Sequence, residues 1–235
     1  SPTNASPINF QVTFDEDVTG FDATDITLTG GTIVSGSFSG SGSNYSFNVT
    51  PTSDGTITVN IAAGAASDLS SNTSNAATQF SITSDRTAPV PTITTTSPTK
   101  SNTLAGTATD ANTVTLVEVS TNNGSTFTTA TGTTSWSLDI SALNDGTYNV
   151  KIRTTDNAGN TATSETSTLQ IDRSAPTPTI TSTQSSPTNA SPINFQVTFD
   201  EDVTGFDATD ITLGGTATTT GGVASFTTVS PKSYT

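Results

Sequence analysis

Residues 45–59 read YSFNVTPTSDGTITV and residues 136–150 read WSLDISALNDGTYNV, and the two stretches share one pattern. Tyr45, Phe47 and Val49 fall on Trp136, Leu138 and Ile140; Asp54-Gly55 falls on Asp145-Gly146; Ile57 and Val59 fall on Tyr148 and Val150. Apolar residues at every second position bury one face of a strand. The Asp-Gly pair supplies the positive φ that a tight connection needs. Each stretch is therefore two strands joined by the same turn, and the chain repeats a unit that is not obvious by identity.

Working outward, Ile8, Phe10, Val12 and Phe14 alternate in one flank, and Leu104, Gly106 and Ala108 in the other. Neither flank carries a convincing helical period. In the middle of the chain short strands are expected near 91–95, 102–109, 113–120, 125–131, 134–140, 147–155 and 161–171. About seven strands in roughly 90 residues predict an immunoglobulin-like sandwich, with strands A to G in order. A literal repeat frames it: SPTNASPINFQVTFDEDVTGFDATDITL at 1–28 returns at 186–213, a period of 185 residues. DRTAP at 85–89 and DRSAP at 172–176 mark the joints, where Pro89 and Pro176 stiffen the chain.

The expected fold is all-β: tandem immunoglobulin-like β-sandwich modules in an extended array, the last one incomplete. Residues 1–85 form a type-one module lacking its first strand, 86–172 a type-two module, and 173–235 the N-terminal part of a second type-one module. Strands E, F and G of that last module are expected to be missing, leaving its buried face open. The first residue already sits mid-pattern, which reads as a piece of a longer chain.

With 30% hydrophobic and 11% charged residues the composition is lean for a folded protein, but the alternating runs favour a thin β core over disorder. Six Lys and Arg stand against 20 Asp and Glu, a net charge of −14. That charge repels phosphate backbones and anionic lipid, so nucleic acid is a poor partner and divalent cations are good ones. The chain has no Cys, His or Met, which excludes disulfides, thiolate chemistry and an imidazole switch. No apolar run approaches the roughly 20 residues that span a bilayer, so no membrane insertion is expected in this segment.

The stretches FDEDVTGFDATDIT and DNAGN, with the DRTAP joints, resemble the tandem bacterial immunoglobulin-like repeats of very large surface adhesins and biofilm-associated proteins. The resemblance covers essentially the whole chain. It implies an extracellular or cell-surface array that projects a binding domain, often rigidified by calcium between modules, whose partners are the neighbouring immunoglobulin-like modules of the same chain.

Sandwich topology makes its own prediction about the acids. The linker, the B–C connection and the F–G connection all reach the end that faces the preceding module. In the middle module they bring Asp85, Asp110, and Asp156 with Asn160 of DNAGN. In the first module the F–G loop SDLSSN carries Asp68 and Asn72 at the same spacing, and Asp15, Glu16 and Asp17 form an acidic B–C loop in which Glu16 best matches Asp110. The third module offers Asp172, Asp200, Glu201 and Asp202. Taken singly, such residues are solvated turn formers. Converging from three segments, they repel one another unless a cation neutralises them, and calcium, with six to eight oxygen ligands, suits them. Asp22, Asp25, Asp207 and Asp210 read as turn caps.

Tyr148, just after Asp145-Gly146, is placed for a tyrosine corner, Trp136 alternates into the core, and Lys151 should face water, which argues against an isopeptide bond. No His or desolvated Lys is present to activate a Ser or Thr, so an enzyme is not expected. The leading reading is a non-catalytic spacer of an extracellular bacterial adhesin. A repeat subunit of a fibre or surface layer, with self-association as its function, and a carbohydrate-binding or accessory module of a secreted enzyme stand as alternatives.

Overall fold

The structure, a computed structural model, describes residues 2–215, 223 and 225–235. It divides into two compact units, Ser1–Asp172 and Arg173–Thr235, and the first of these holds two sandwiches. The described residues contain no helix long and apolar enough to cross a membrane.

In the first module β1 (Ile8–Thr19), β2 (Ile26–Thr29), β3 (Gly31–Ile33), β4 (Ser39–Pro51), β5 (Gly55–Ile61), β6 (Ser67–Asp68) and β7 (Phe80–Ser84) form two antiparallel sheets, ordered β3-β4-β1-β6 and β2-β5-β7. Their inward residues make one core: Ile8, Phe10, Phe47 and Val49 from the first sheet meet Ile26, Ile57, Val59 and Ile61 from the second. Asp22 accepts from the Thr24 N–H at 2.7 Å while Asp25 accepts from the Asp22 N–H at 2.8 Å, a reciprocal cap that turns the chain into β2.

The second module places β8 (Val90–Ile93), β9 (Thr103–Thr109), β10 (Val114–Ser120), β11 (Thr128–Thr129), β12 (Ser135–Asp139), β13 (Gly146–Asp156), β14 (Thr161–Thr163) and β15 (Ser167–Ile171) in sheets β12-β9-β8 and β11-β10-β13, with β14 and β15 on successive halves of β13. The single strand expected over 161–171 is thus broken. Ser164 breaks it, its hydroxyl accepting from the Ile152 N–H at 3.0 Å while its own N–H goes to the Ile152 carbonyl. The strand expected over 125–131 shrinks to two residues.

Trp136 is 2% exposed and lies in this core, so it offers no stacking surface to a sugar. Gly106 makes room for it: a Cβ there would stand 1.9 Å from the Thr92 carbonyl oxygen and 2.4 Å from Trp136 Cζ2. Tyr148 donates to the Asn144 carbonyl at 2.9 Å, the corner expected of it. Arg153 forks onto Glu118 at 2.8 and 3.0 Å and lies 4.3 Å over the Phe127 ring, tying β13 to β10.

Strand A has no counterpart of β8 in the first module among the described residues. Thr3 instead donates to the Thr83 carbonyl and accepts from the Asp85 N–H, and Thr99 does the same with Gln170 and Asp172, each bond 2.9 Å long.

The second unit, which is the third module, places β16 (Pro178–Ser182), β17 (Phe195–Phe199), β18 (Thr228–Ser230) and β19 (Ser233–Tyr234) in one sheet ordered β16-β17-β19-β18. Strand E is not wholly missing, contrary to the sequence expectation. Tyr234 begins it, paired with Val197 as Tyr45 is paired with Val12. The reason is aromatic: Phe199, Phe206, Phe226 and Tyr234 pack with ring centroids 5.0–6.1 Å apart. They repeat the cluster of Phe14, Phe21, Phe38 and Tyr45 at 5.1–6.0 Å. Ile180, Phe195 and Val229 remain exposed on this unit.

Gly106→Ala should overpack the second module against Trp136 and cost about 1–3 kcal/mol. Chemical unfolding followed by the fluorescence of the single tryptophan measures it, and an unchanged midpoint would contradict the packing described.

Candidate functional site

The antiparallel path of the second sandwich returns the chain three times to one tip. Asp85 follows the end of β7, Asp110 follows β9, and Asp156 ends β13. One carboxylate oxygen from each lies within 4.8 Å of the others, and among the described residues this is the one group of three such ligands. Asp85 is 1% exposed and Asp156 2%, while Asp110 is half-buried.

The three carboxylates are held differently. Asp156 Oδ1 accepts from the N–H groups of Ala158 and Asn160 at 2.8 and 2.9 Å, and its Oδ2 accepts from Asn160 Nδ2 at 2.8 Å. Asp110 Oδ1 accepts from the Asn112 N–H at 2.8 Å. Asp85 Oδ1 accepts only a longer bond from the Thr87 N–H, 3.2 Å, and Asp85 Oδ2 is buried without a hydrogen-bond partner. Burial pushes the Asp85 carboxyl above its ordinary range, and the charges of Asp156 and Asp110 add to this. The Thr87 N–H opposes the shift, and the nearby Asn112 amide adds a weaker opposing contribution that does not amount to a hydrogen bond.

Asn160 takes part as a brace. Its Nδ2 donates both to Asp156 and, at 2.8 Å, to the Asp85 carbonyl, which pins the linker to the F–G loop. Thr154, fully buried in β13, donates to the Pro89 carbonyl at 3.1 Å and pins the linker a second time. From the first module, Asp54 accepts from the Arg86 N–H and the Thr87 hydroxyl at 2.9 and 2.5 Å. Those two bonds hold the Asp54 carboxyl below the usual range, the Thr87 hydroxyl contributing most. Sequence reasoning took Asp54 only as a turn residue and passed over Thr87. Their roles depend on a contact between residues 33 positions apart, and the one local signal was the recurrence of DRTAP and DRSAP.

The other sequence candidates are placed as follows. Asp68 and Asn72 repeat the Asp156–Asn160 turn bond for bond: Asp68 Oδ1 accepts from Ser70 and Asn72 N–H at 2.8 and 2.7 Å, and Oδ2 from Asn72 Nδ2 at 2.7 Å. These bonds, the Asn72 side chain first, lower the Asp68 pKa. Asp15, Glu16 and Asp17 do not form a loop. They lie exposed within β1, across the register shift between Thr13 and Val18. The strand continues to Thr19 because Val18 and Thr19 pair with Asp68 and Ser67 of β6, so the expected match of Glu16 to Asp110 does not hold. Asp172 closes the second module through its N–H to Thr99. In the third module Asp200 Oδ1 accepts from the Thr177 N–H at 2.7 Å, Glu201 is half-buried and Asp202 exposed. Asp22 and Asp207, with Asp25 and Asp210, form identical turn caps.

An orphaned buried carboxylate oxygen beside two further carboxylates, with oxygen donors alone, fits a hard divalent cation. Calcium takes several carboxylates at one site, whereas magnesium keeps most of its water, so the donor set fits calcium better.

Among solved structures, the chain is similar to a tetra-tandem repeat from the extending region of a large adhesion protein, with 24% identity, a TM-score of 0.30 and coverage of 84% of this chain and 50% of that one. It is also similar to the Bacteroides ovatus mixed-linkage glucan utilization locus protein SGBP-B, solved with a mixed-linkage heptasaccharide, at 13% identity, a TM-score of 0.21 and coverage of 80% and 47%. The chain thus spans about half the length of these structures. No curated protein matches it significantly. Two family models, each described as a bacterial Ig-like domain, match residues 3–84 and 92–173 and together span more than half of the chain. The chain belongs to the bacterial Ig-like domain proteins and carries two of these domains in tandem.

Proposed function

We propose that the chain is a run of non-catalytic spacer repeats in a large extracellular bacterial adhesin, at the cell surface, with calcium restraining the joint between modules. The observation that carries the calcium reading is Asp85 Oδ2, buried without a partner on a carboxylate that has one oxygen within 4.8 Å of an oxygen of Asp110 and of Asp156. Asp85 belongs to the linker and the other two ligands to the tip of the second sandwich, so a shared cation would fix one to the other. Cation binding offsets the repulsion among three carboxylates and supplies the missing partner of a desolvated oxygen. The spacer reading is supported by the tandem repeats, the 185-residue period and a linker held from both modules. The net charge of −14 keeps neighbouring chains apart.

Calcium at about one hundred times its Kd should stabilise the second module by about 2.7 kcal/mol. Thermal unfolding followed through Trp136, in calcium and then in chelator, measures this, and coincident midpoints would overturn the calcium reading. Sedimentation should show monomers in either condition; ordered assembly would transfer the chain to a fibre or surface layer.

Asp85→Asn should change sign with the cation. A carboxyl whose folded-state pKa is raised contributes stability that is complete below its ordinary value of 3.8 and lost as pH rises through the folded value. In chelator at pH 7 the Asn variant should therefore be more stable than wild type, by on the order of 1 kcal/mol. The difference should vanish as pH falls toward 3.8. In calcium the same variant should be the less stable, having lost a ligand. A variant less stable than wild type in chelator at pH 7 would contradict the description of Asp85 as an uncompensated buried charge.

A further inference from the structure

We infer that Asp54, on the turn between β4 and β5 of the first module, is a positioning residue for Asp85, so that the cation site at the tip of the second module is completed by the first. This assignment rests on the calcium reading and goes beyond it by making calcium affinity a property of two modules.

An aspartate in a free linker would escape burial by swinging its carboxylate to water, because nothing compensates its lost hydration. Asp85 does not swing out; it is 1% exposed. Two sets of bonds hold it. Its backbone N–H donates to Thr3 and its carbonyl accepts from Asn160, which fix the main chain. The side chain is set through Thr87, whose N–H donates to Asp85 Oδ1 at 3.2 Å and leaves Oδ2 without a partner, on a carboxylate grouped with those of Asp110 and Asp156. Thr87 is held in turn by Asp54, which takes its hydroxyl at 2.5 Å with Oδ2 and the Arg86 N–H at 2.9 Å with Oδ1. The Arg86 guanidinium, 3.6 Å from the same oxygen and over a third exposed, adds little. The path is Asp54 to Thr87 to Asp85, and Asp54 itself is no part of the carboxylate group.

Partners that orient a metal ligand through hydrogen bonds change metal affinity by about 10–100-fold when removed. Isothermal titration of the full chain with calcium chloride should therefore give a Kd raised by about 10-fold or more for Asp54→Ala and also for Thr87→Val, which keeps the backbone N–H and the branched shape but loses the hydroxyl. Asp54→Asn retains an acceptor for the Arg86 N–H and a polar partner for the Thr87 hydroxyl while removing the charge. Its Kd should stay within about 3-fold of wild type, which separates positioning from long-range attraction of the cation. Unchanged Trp136 fluorescence verifies that the second module is folded in each variant.

A purely structural Asp54 would lower the melting midpoint in chelator and leave the calcium Kd unchanged. Wild-type Kd values in Asp54→Ala and Thr87→Val would overturn this assignment and leave the calcium reading standing. Absence of calcium binding by the wild-type chain would overturn the calcium reading and this assignment with it. Should Asp54→Ala fail to fold, Thr87→Val decides alone.

Discussion

A carboxylate removed from water has to be compensated, and the joint between the two sandwiches is organised around that demand at Asp85. The residue ends one module and begins the other, so the groups that satisfy it come from both. Thr3 takes its N–H, Asn160 reaches its carbonyl, and Thr87 donates to Oδ1. Thr154 and Asp54 hold the linker residues that follow Asp85. A linker of five residues thereby carries as much specific bonding as a turn within a domain. Of the Asp85 carboxylate, Oδ2 is left buried without a hydrogen-bond partner.

The sandwiches that carry this joint are built on short means. Branched aliphatic residues supply much of the core, and where the large Trp136 ring enters it, Gly106 makes room in the backbone. The type-one modules rely on four packed aromatic rings at one end, and the third module keeps that cluster with the first residues of strand E. Local aromatic packing and pairing with β17 and β18 thus place Tyr234 as Tyr45 is placed.

The same acidic tripeptide behaves differently in its two settings. Asp15, Glu16 and Asp17 are drawn into β1 because β6 pairs with Val18 and Thr19. At Asp200, with β17 ending at Phe199, the carboxylate turns back onto the Thr177 N–H. An identical sequence takes the geometry its pairing partner permits.

Alternation at 45–49 and 136–140, the Asp-Gly turns and the DRTAP and DRSAP joints were enough to read tandem sandwiches, because burial of one strand face leaves a period-two mark on the chain itself. The approach of Asp85, Asp110 and Asp156 also followed from the sequence, since antiparallel strands must return to the same end. Orientation could not be read this way. Whether an acid at that end faces its neighbours, as Asp156 does, or lies exposed across a register shift, as Asp15 to Asp17 do, depends on pairings between distant segments. The roles of Asn160 as a brace and of Asp54 as an anchor for Thr87 were likewise decided by the tertiary structure, because a hydrogen bond across 75 or 33 residues leaves no local pattern. The alternating pattern is enough to name most of the strands and the loops that share a tip, because both follow from local burial and chain direction; the burial of Asp85 and Asp156, and the Asp85 oxygen left without a partner, come from contacts between distant segments that only the folded chain makes.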